Sequence, residues 1–192
     1  MPQRPILLDA SCLLNLYASG RLREIAKTLP QPLAVAEYVM QQEALYIRRR
    51  RSERHPEERE PVNIAPLVSA GLIQLLTINN EAEAATFVDF AREMDDGEAV
   101  TCALAIHRRC DVATDDRKAR GVLGRRAPHV LLVSTLDLMK QWAGLAGVVK
   151  EEIRAALLNI WAGANYYPGE RDPLYGWWIE RALQNGCPAD QG

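Results

Sequence analysis

The stretch CDVATDDRKAR, residues 110–120, decides the fold and points to the site. Its apolar run, residues 112–114, is typical of a buried strand, and it ends in two adjacent carboxylates, Asp115 and Asp116. Neighbouring acids repel each other, and removing them from water is costly. A helix cap explains an isolated aspartate. Whether the pair has a function depends on the other acids of the chain.

Short apolar runs alternate with helical patterns along the sequence. Residues 5–9, 33–36, 72–78 and 129–133 predict further strands, and helices are predicted between them. One of these predicted helices reads EYVMQQEALYIRRRR, residues 37–51. This alternation predicts a three-layer α/β/α domain with a central, mostly parallel sheet and a ligand site at the carboxyl ends of the strands. Neither GxGxxG nor GxxxxGK[ST] occurs, which argues against a dinucleotide-binding or P-loop enzyme.

Composition favours an ordinary globular protein. The chain has 192 residues, 48% hydrophobic and 25% charged, with a net charge of −2, so nucleic-acid binding would depend on local patches or metal ions. The four cysteines form no CxxC pair, which argues against structural zinc and fits reduced thiols. Asp9 interrupts the apolar N-terminal run, and no segment reaches the length of a membrane span. We therefore expect a cytoplasmic protein with no membrane partner.

Acids distant in sequence are predicted to gather at one edge of the sheet. Asp9 ends the first strand, Asp115 and Asp116 follow a later one, Glu98 begins a helix, and Glu43 follows the second strand. Carboxylates without basic partners raise one another's pKa, and a divalent cation removes that conflict. Mg²⁺ or Mn²⁺ suits such oxygen ligands, and two ions about 3.5–4 Å apart support phosphodiester hydrolysis.

Four segments, in this order, resemble the motifs of PIN-domain nucleases: ILLDASCLL, YVMQQEAL, DGEAVTCALA and VATDDRKAR. The GE pair and the TDD-x-x-AR pattern are similar to the branch that contains the toxins of toxin–antitoxin pairs. The resemblance spans residues 5–147. It predicts a PIN-like nuclease domain at residues 1–147 and leaves residues 148–192 as a C-terminal helical extension.

The resemblance also implies roles for individual residues. Asp9, Glu43, Glu98 and Asp116 would be the catalytic acids, and Asp115 would assist in metal binding. Two hydroxyl side chains would orient carboxylates or water, those of Ser11 and Thr114. The implied activity is that of a two-metal endoribonuclease with Mg²⁺ or Mn²⁺, an RNA substrate and a small antitoxin as partner. Glu37 is the alternative second acid; we prefer Glu43, because capping of the predicted helix explains Glu37.

Basic side chains near these acids are candidates for contacts to RNA phosphates. The densest run begins at Arg48 and Arg49 and continues to Arg54. The alternative is a solvated helix end that pairs with the glutamates of residues 57–60. The predicted phosphate contacts are Arg48, Arg49, Arg117, Lys118 and Arg120.

The extension, residues 148–192, is rich in aromatic residues, including three of the four tryptophans of the chain. Two helices are predicted, at residues 151–162 and 173–184. Their aromatic side chains suit packing onto the domain or onto a partner, a homodimer interface, or base stacking. We favour packing.

Two other functions are weighed against nuclease activity. An aspartyl-phosphate phosphatase would carry a second Asp two residues after Asp9, where this chain has Ser11. A non-catalytic binding module on the same fold is the other alternative. The presence of every expected acid argues against a degenerate site.

Overall fold

A computed structural model gives the structure of residues 3–49 and 58–183, without the side chains of Arg49 and Glu58. Several residues of the sequence predictions lie outside the described residues: Arg50, Arg51, Arg54, Glu57, Gln184 and Cys187.

The described residues contain a five-stranded parallel sheet and a separate two-stranded hairpin. The strands are β1 (Ile6–Leu8), β2 (Leu33–Ala36), β3 (Tyr46–Arg49), β4 (Glu58–Pro61), β5 (Ile73–Leu76), β6 (Asp111–Ala113) and β7 (Leu132–Val133). The sheet has the order β5-β2-β1-β6-β7, and all its neighbouring strands are parallel. Leu8 is in register with Val35 and Ala113, so β1, β2 and β6 end at the same edge.

Helices cover the sheet. In the described part of the chain they are α1 (Ala10–Ala18), α2 (Leu22–Thr28), α3 (Ala65–Ser69), α4 (Glu81–Phe90), α5 (Asp96–Arg108), α6 (Arg117–Arg126), α7 (Thr135–Leu145), α8 (Lys150–Ala164) and α9 (Tyr175–Ala182). α5 packs on β1, β2 and β6 with α4 against it, while α1 packs with α7 and α8. The predicted three-layer α/β/α fold with C-terminal helices is confirmed. No helix in these ranges is long and apolar enough to cross a membrane.

The core lies on and around the central strands. Every residue of β1 and β2 is buried, as expected for strands covered on both faces. The same apolar cluster includes Leu157 of α8 and Trp178 of α9, which are 0% and 1% exposed. α8 and α9 therefore share the core of the sheet domain. The boundary between residues 147 and 148 stays a prediction.

The predicted helix over residues 37–51 is wrong beyond its first turns. A π-helical segment, Val39–Glu43, is followed by β3, which pairs antiparallel with β4. In β3, Ile47 is 3% exposed while Tyr46 is 53% exposed, which is the alternation of a strand. Arginines have high helix propensity, and their number hid this short alternation. The partner strand, β4, is itself rich in charged residues and shows no apolar alternation, so the sequence pattern contained no signal for the pairing.

Candidate metal centre

Three aspartates begin helices at the carboxyl edge of the sheet. Asp9 caps α1, Asp95 caps α5 and Asp116 caps α6. Each carboxylate accepts a hydrogen bond from the backbone N–H three residues ahead, at 2.7, 2.9 and 2.7 Å. These bonds satisfy free N–H groups of the first turns and place the positive ends of three helices beside the acids.

Asp9 and Asp116 are joined through Thr114, which is buried at the end of β6. The Thr114 hydroxyl bonds to the Asp9 carboxylate and accepts a hydrogen bond from the backbone N–H of Asp116 at 3.1 Å. The Ser11 hydroxyl donates to both Asp9 oxygens, at 2.9 and 3.1 Å. Burial raises the pKa of Asp9, these hydrogen bonds oppose the rise, and the charge of Asp115 adds to it. The structure places Ser11 and Thr114 where they orient the Asp9 carboxylate.

The carboxylate of Glu43 lies against the first turn of α5. It accepts a hydrogen bond from the backbone N–H of Gly97, and it occupies the space that a side chain at position 97 would fill. Burial and then the charge of Asp95 raise the pKa of Glu43, and Asp9 adds to the rise. Glu37 instead accepts a hydrogen bond from the Gln41 side chain at 3.0 Å. Of the two candidates for the second acid, the structure brings Glu43 to the other carboxylates.

Glu98 lies half-buried in the first turn of α5. Burial and then the charges of Asp95, Asp116 and Asp9 raise its pKa from 4.5 to about 7. Lys118 of α6 lowers the pKa without forming an ion pair. The pKa of Glu98 is therefore raised by acids from three places: the end of β1, the end of β6 and the start of α5.

The two adjacent aspartates of the opening stretch point to different partners. Asp116 is exposed at the start of α6, whereas the Asp115 carboxylate faces α1 and α7. Asp115 Oδ1 accepts the backbone N–H of Thr135 at 3.0 Å, and Oδ2 accepts the Asn15 amide at 3.1 Å and the Thr135 hydroxyl. Asp115 thus holds both helices to the end of β6. Its assisting role in metal binding stays a prediction.

The predicted phosphate-binding residues are spread over two regions. Arg117 and Lys118 are exposed in the first turn of α6. Arg120 donates to the backbone carbonyls of Thr114 and Val133 at 2.9 and 3.1 Å and so ties together the ends of β6 and β7. Arg48 is exposed on β3, in the hairpin, and the Arg49 side chain lies outside the described atoms.

The sequence-based prediction omitted three residues of this site. Asp95 raises the pKa of both Glu43 and Glu98, and its position three residues before Glu98 is a helix-cap spacing that was a usable signal. Asn15, which lies 100 residues before Asp115, and Thr135, which lies 20 residues after it, both donate to its carboxylate. No local pattern indicates that contact.

The donor set suits a hard divalent cation. Asp9, Glu43, Glu98 and Asp116 offer oxygen only, and none of them forms an ion pair with a basic side chain of residues 3–49 or 58–183. Within the same ranges, no group of three or more His, Cys, Asp and Glu side chains is close enough to hold a metal ion. The acids interact through their charges, and a cation between them would relieve the repulsion that raises the pKa of Glu98.

The fold and the site define a class: an α/β/α domain that collects carboxylates at the carboxyl edge of a parallel sheet. The model of a PIN-domain family matches residues 5–157. The chain belongs to the PIN-domain family, whose members are in general hydrolytic nucleases that depend on divalent metal ions. The matched region contains all four predicted acids and ends within α8. No curated protein and no solved structure gives a match.

Proposed function

We propose that this PIN-domain protein is a Mg²⁺- or Mn²⁺-dependent endoribonuclease of the cytoplasm that hydrolyses RNA phosphodiester bonds with water as the nucleophile. One observation supports the proposal above the others. Burial raises the pKa of both Glu43 and Glu98, and the charges of two shared neighbours, Asp95 and Asp9, add to the rise. No basic residue of the described ranges pairs with either glutamate. Such a cluster destabilises the metal-free fold, and carboxylates kept at that cost indicate a function that needs their charge.

Four acids would hold the two cations: Asp9, Glu43, Glu98 and Asp116. Asp9 is fixed by hydrogen bonds from Ser11, Thr114 and the Cys12 N–H, so its carboxylate is pre-oriented. Asp116 uses Oδ1 for the helix cap, and its Oδ2 has no hydrogen-bond partner among the described residues. The Glu43 carboxylate lies against Gly97, and Glu98 is the next residue of α5; both would complete the ligand set. When bound, the cations supply an activated water and neutralise charge on the phosphate.

Metal dependence is the first test. The purified protein should cleave single-stranded or structured RNA with Mg²⁺ or Mn²⁺, stop in EDTA, and leave 5′-phosphate ends. An Asp116→Asn preparation, purified in parallel, controls for contaminating nucleases. Cleavage that persists in EDTA, or products with 2′,3′-cyclic phosphate ends, would refute the two-metal mechanism.

A matched pair of glutamates tests the assignment of the second acid. Glu43→Gln should lose cleavage, since the carboxylate of Glu43 lies among the acids, and Glu37→Gln should retain it. The reverse order would exchange their roles. Both variants remove one charge from the same helical segment, so the comparison separates position from net charge.

We further propose that the protein is the toxin of a toxin–antitoxin pair, on the basis of the DGEA and TDDRKAR segments. Induced expression should then arrest growth, and the Asp116→Asn variant should not. A small antitoxin encoded beside the gene should restore growth and co-purify with the chain. Growth at the same rate with the active and the substituted chain would contradict this role.

A further inference from the structure

A cleft of about 720 Å³ adjoins the carboxylates. It lies between the start of α6, the start of α7 and the loop of residues 165–174 that connects α8 to α9. Asp115 and Arg117 both line it, and Asp116 lies between them in the chain. An RNA strand with a phosphate at the acids therefore has space to continue into this cleft.

The acids of the cleft are already hydrogen-bonded to the protein. Asp137 accepts bonds from the backbone N–H and the hydroxyl of Ser134, at 2.8 and 2.9 Å. Asp172 accepts the backbone N–H of Leu174 at 2.7 Å, and Asp115 is held by α1 and α7. Both oxygens of Asp115, and one oxygen each of Asp137 and Asp172, are directed at donors of the chain itself.

The aspartates of the cleft are hydrogen-bonded to the chain, whereas two of its arginines have no acidic partner among the described residues. Arg117 and Arg171 are exposed, line the cleft, and form no ion pair with any acid in the described part of the chain. One nitrogen of Arg117 lies within 3.0 Å of the place where a Cβ at Gly169 would be, so the loop and α6 approach closely here. Guanidinium groups bind phosphate oxygens in a bidentate manner, so one from α6 and one from the loop, both without an ion pair among the described residues, suit a phosphate ligand.

An aromatic ring stands beside these arginines. Tyr167 lines the cleft and is 46% exposed. Its ring contacts Trp161, Tyr175 and Trp178 edge to face, with centroids 6.1–6.3 Å away. Because the ring is held by its neighbours, stacking a base on it would order little additional structure.

We propose that this cleft binds a nucleotide next to the scissile phosphate of single-stranded RNA, with the base stacked on Tyr167 and phosphates held by Arg117 and Arg171. The position relative to the scissile bond rests on the proposed nuclease function. A paired base has no free face for Tyr167, so duplex RNA should bind less tightly. Formal charge in the cleft is balanced, with three arginines and three aspartates, so the preference arises from short-range contacts.

The test measures binding apart from cleavage. A fluorescein-labelled single-stranded RNA octamer is titrated with the protein in EDTA, and its anisotropy is recorded over a range of salt concentrations. Tyr167→Ala should weaken binding about 5- to 150-fold, the range for loss of one stacked base, without changing the salt dependence. Arg171→Ala should lower the slope of log K against log salt by about 0.7, the value for one phosphate contact of a single strand.

Two controls accompany these variants. Tyr167→Phe keeps the ring and should bind like wild type, which separates stacking from loss of the hydroxyl. Arg23→Ala removes an exposed arginine of α2, outside the cleft, and should leave the salt slope unchanged. Thermal unfolding of each variant checks that the aromatic cluster is intact, and Arg171→Ala carries the test if Tyr167→Ala does not fold.

The outcomes separate this proposal from the nuclease function. If Tyr167→Ala and Arg171→Ala bind the octamer like wild type, or if the annealed duplex binds as tightly as the single strand, the cleft proposal is overturned even where Mn²⁺-dependent cleavage is present. If the variants lose binding but wild type cleaves no RNA, the cleft proposal stands and the proposed hydrolysis fails. Displacement of the octamer by a poly-glutamate peptide more readily than by unlabelled RNA would assign the cleft to an acidic protein and overturn the proposal.

Discussion

Replacing Glu98 by glutamine removes one negative charge from the half-buried carboxylates and keeps the size of the side chain. In the folded protein the pKa of Glu98 is raised from 4.5 to about 7. The folded chain therefore holds this proton more tightly than the unfolded chain does. Protonated Glu98 contributes stability that is fully present below about pH 4.5 and is lost as the pH rises to about 7. Above that range the charged side chain destabilises the fold.

The magnitude follows from the size of the shift. A rise from 4.5 to about 7 sets an upper limit of about 3 kcal/mol. Because water reaches Glu98 and screens its neighbours, we expect roughly 1–2 kcal/mol. For a chain of this length that corresponds to roughly 2–8 °C in Tm. Glu98→Gln should therefore be more stable than wild type by this amount at about pH 8 and nearly equal to it at about pH 4.

Urea unfolding in EDTA measures the difference at both pH values. Glu151→Gln, an exposed glutamate in the first turn of α8, is the control for removing one charge. Saturating Mg²⁺ should cancel the advantage of Glu98→Gln, since a cation that binds only the folded state stabilises wild type more. An advantage of the same size at both pH values, or none at about pH 8, would refute the conclusion that burial and the neighbouring charges raise the pKa of Glu98.

Three further predictions concern the same edge of the sheet. Gly97→Ala should abolish most cleavage, because the new methyl group displaces the carboxylate of Glu43. The free energy of unfolding should change by no more than about 1 kcal/mol, since only the flexible end of that side chain has to move. Activity assays and urea unfolding on one preparation test both statements. Asp9→Asn should lose cleavage and stay as stable as wild type, whereas Asp9→Ala should also lose about 1 kcal/mol with the α1 cap; equal stability of the two variants would contradict the cap. Asp115→Asn should destabilise the fold by about 1–3 kcal/mol, because the amide keeps only one acceptor oxygen for the donors of α1 and α7 and turns an NH2 group toward the others. Asp116→Asn should remain folded and inactive at any Mn²⁺ concentration; if Asp115→Asn is the stable, inactive variant, the roles are reversed.

The sheet was predictable because its strands are covered on both faces. Runs such as that of β1 are continuously apolar, and the acids that end them follow directly in sequence. The capping box of Ser134 and Asp137 at the start of α7 was also readable, since it depends on residues three apart. Contacts of this kind are local, and local pattern describes them well.

The parts that were not predictable depend on contacts between distant segments. β3 is stabilised by its pairing with β4, and its arginines obscure the alternation of a strand in the sequence. The hydrogen bonds that orient Asp115 come from α1 and α7, so no local pattern separates its role from that of Asp116. The position of Glu43 depends on the π-helical segment and on the absence of a side chain at Gly97. Helix patterns contain no signal for either feature.

The helix-capping role of the aspartates has an evolutionary consequence. Asparagine caps a helix about as well as aspartate does, so a change to Asn at Asp9 or Asp116 keeps the first turns of α1 and α6 intact. An Asp codon becomes an Asn codon by a single G-to-A transition. A lineage released from selection for the proposed hydrolysis is therefore one point mutation away from a folded protein that retains its surfaces and lacks that activity. Descendants of this chain can exchange catalysis for a binding role without passing through a misfolded intermediate.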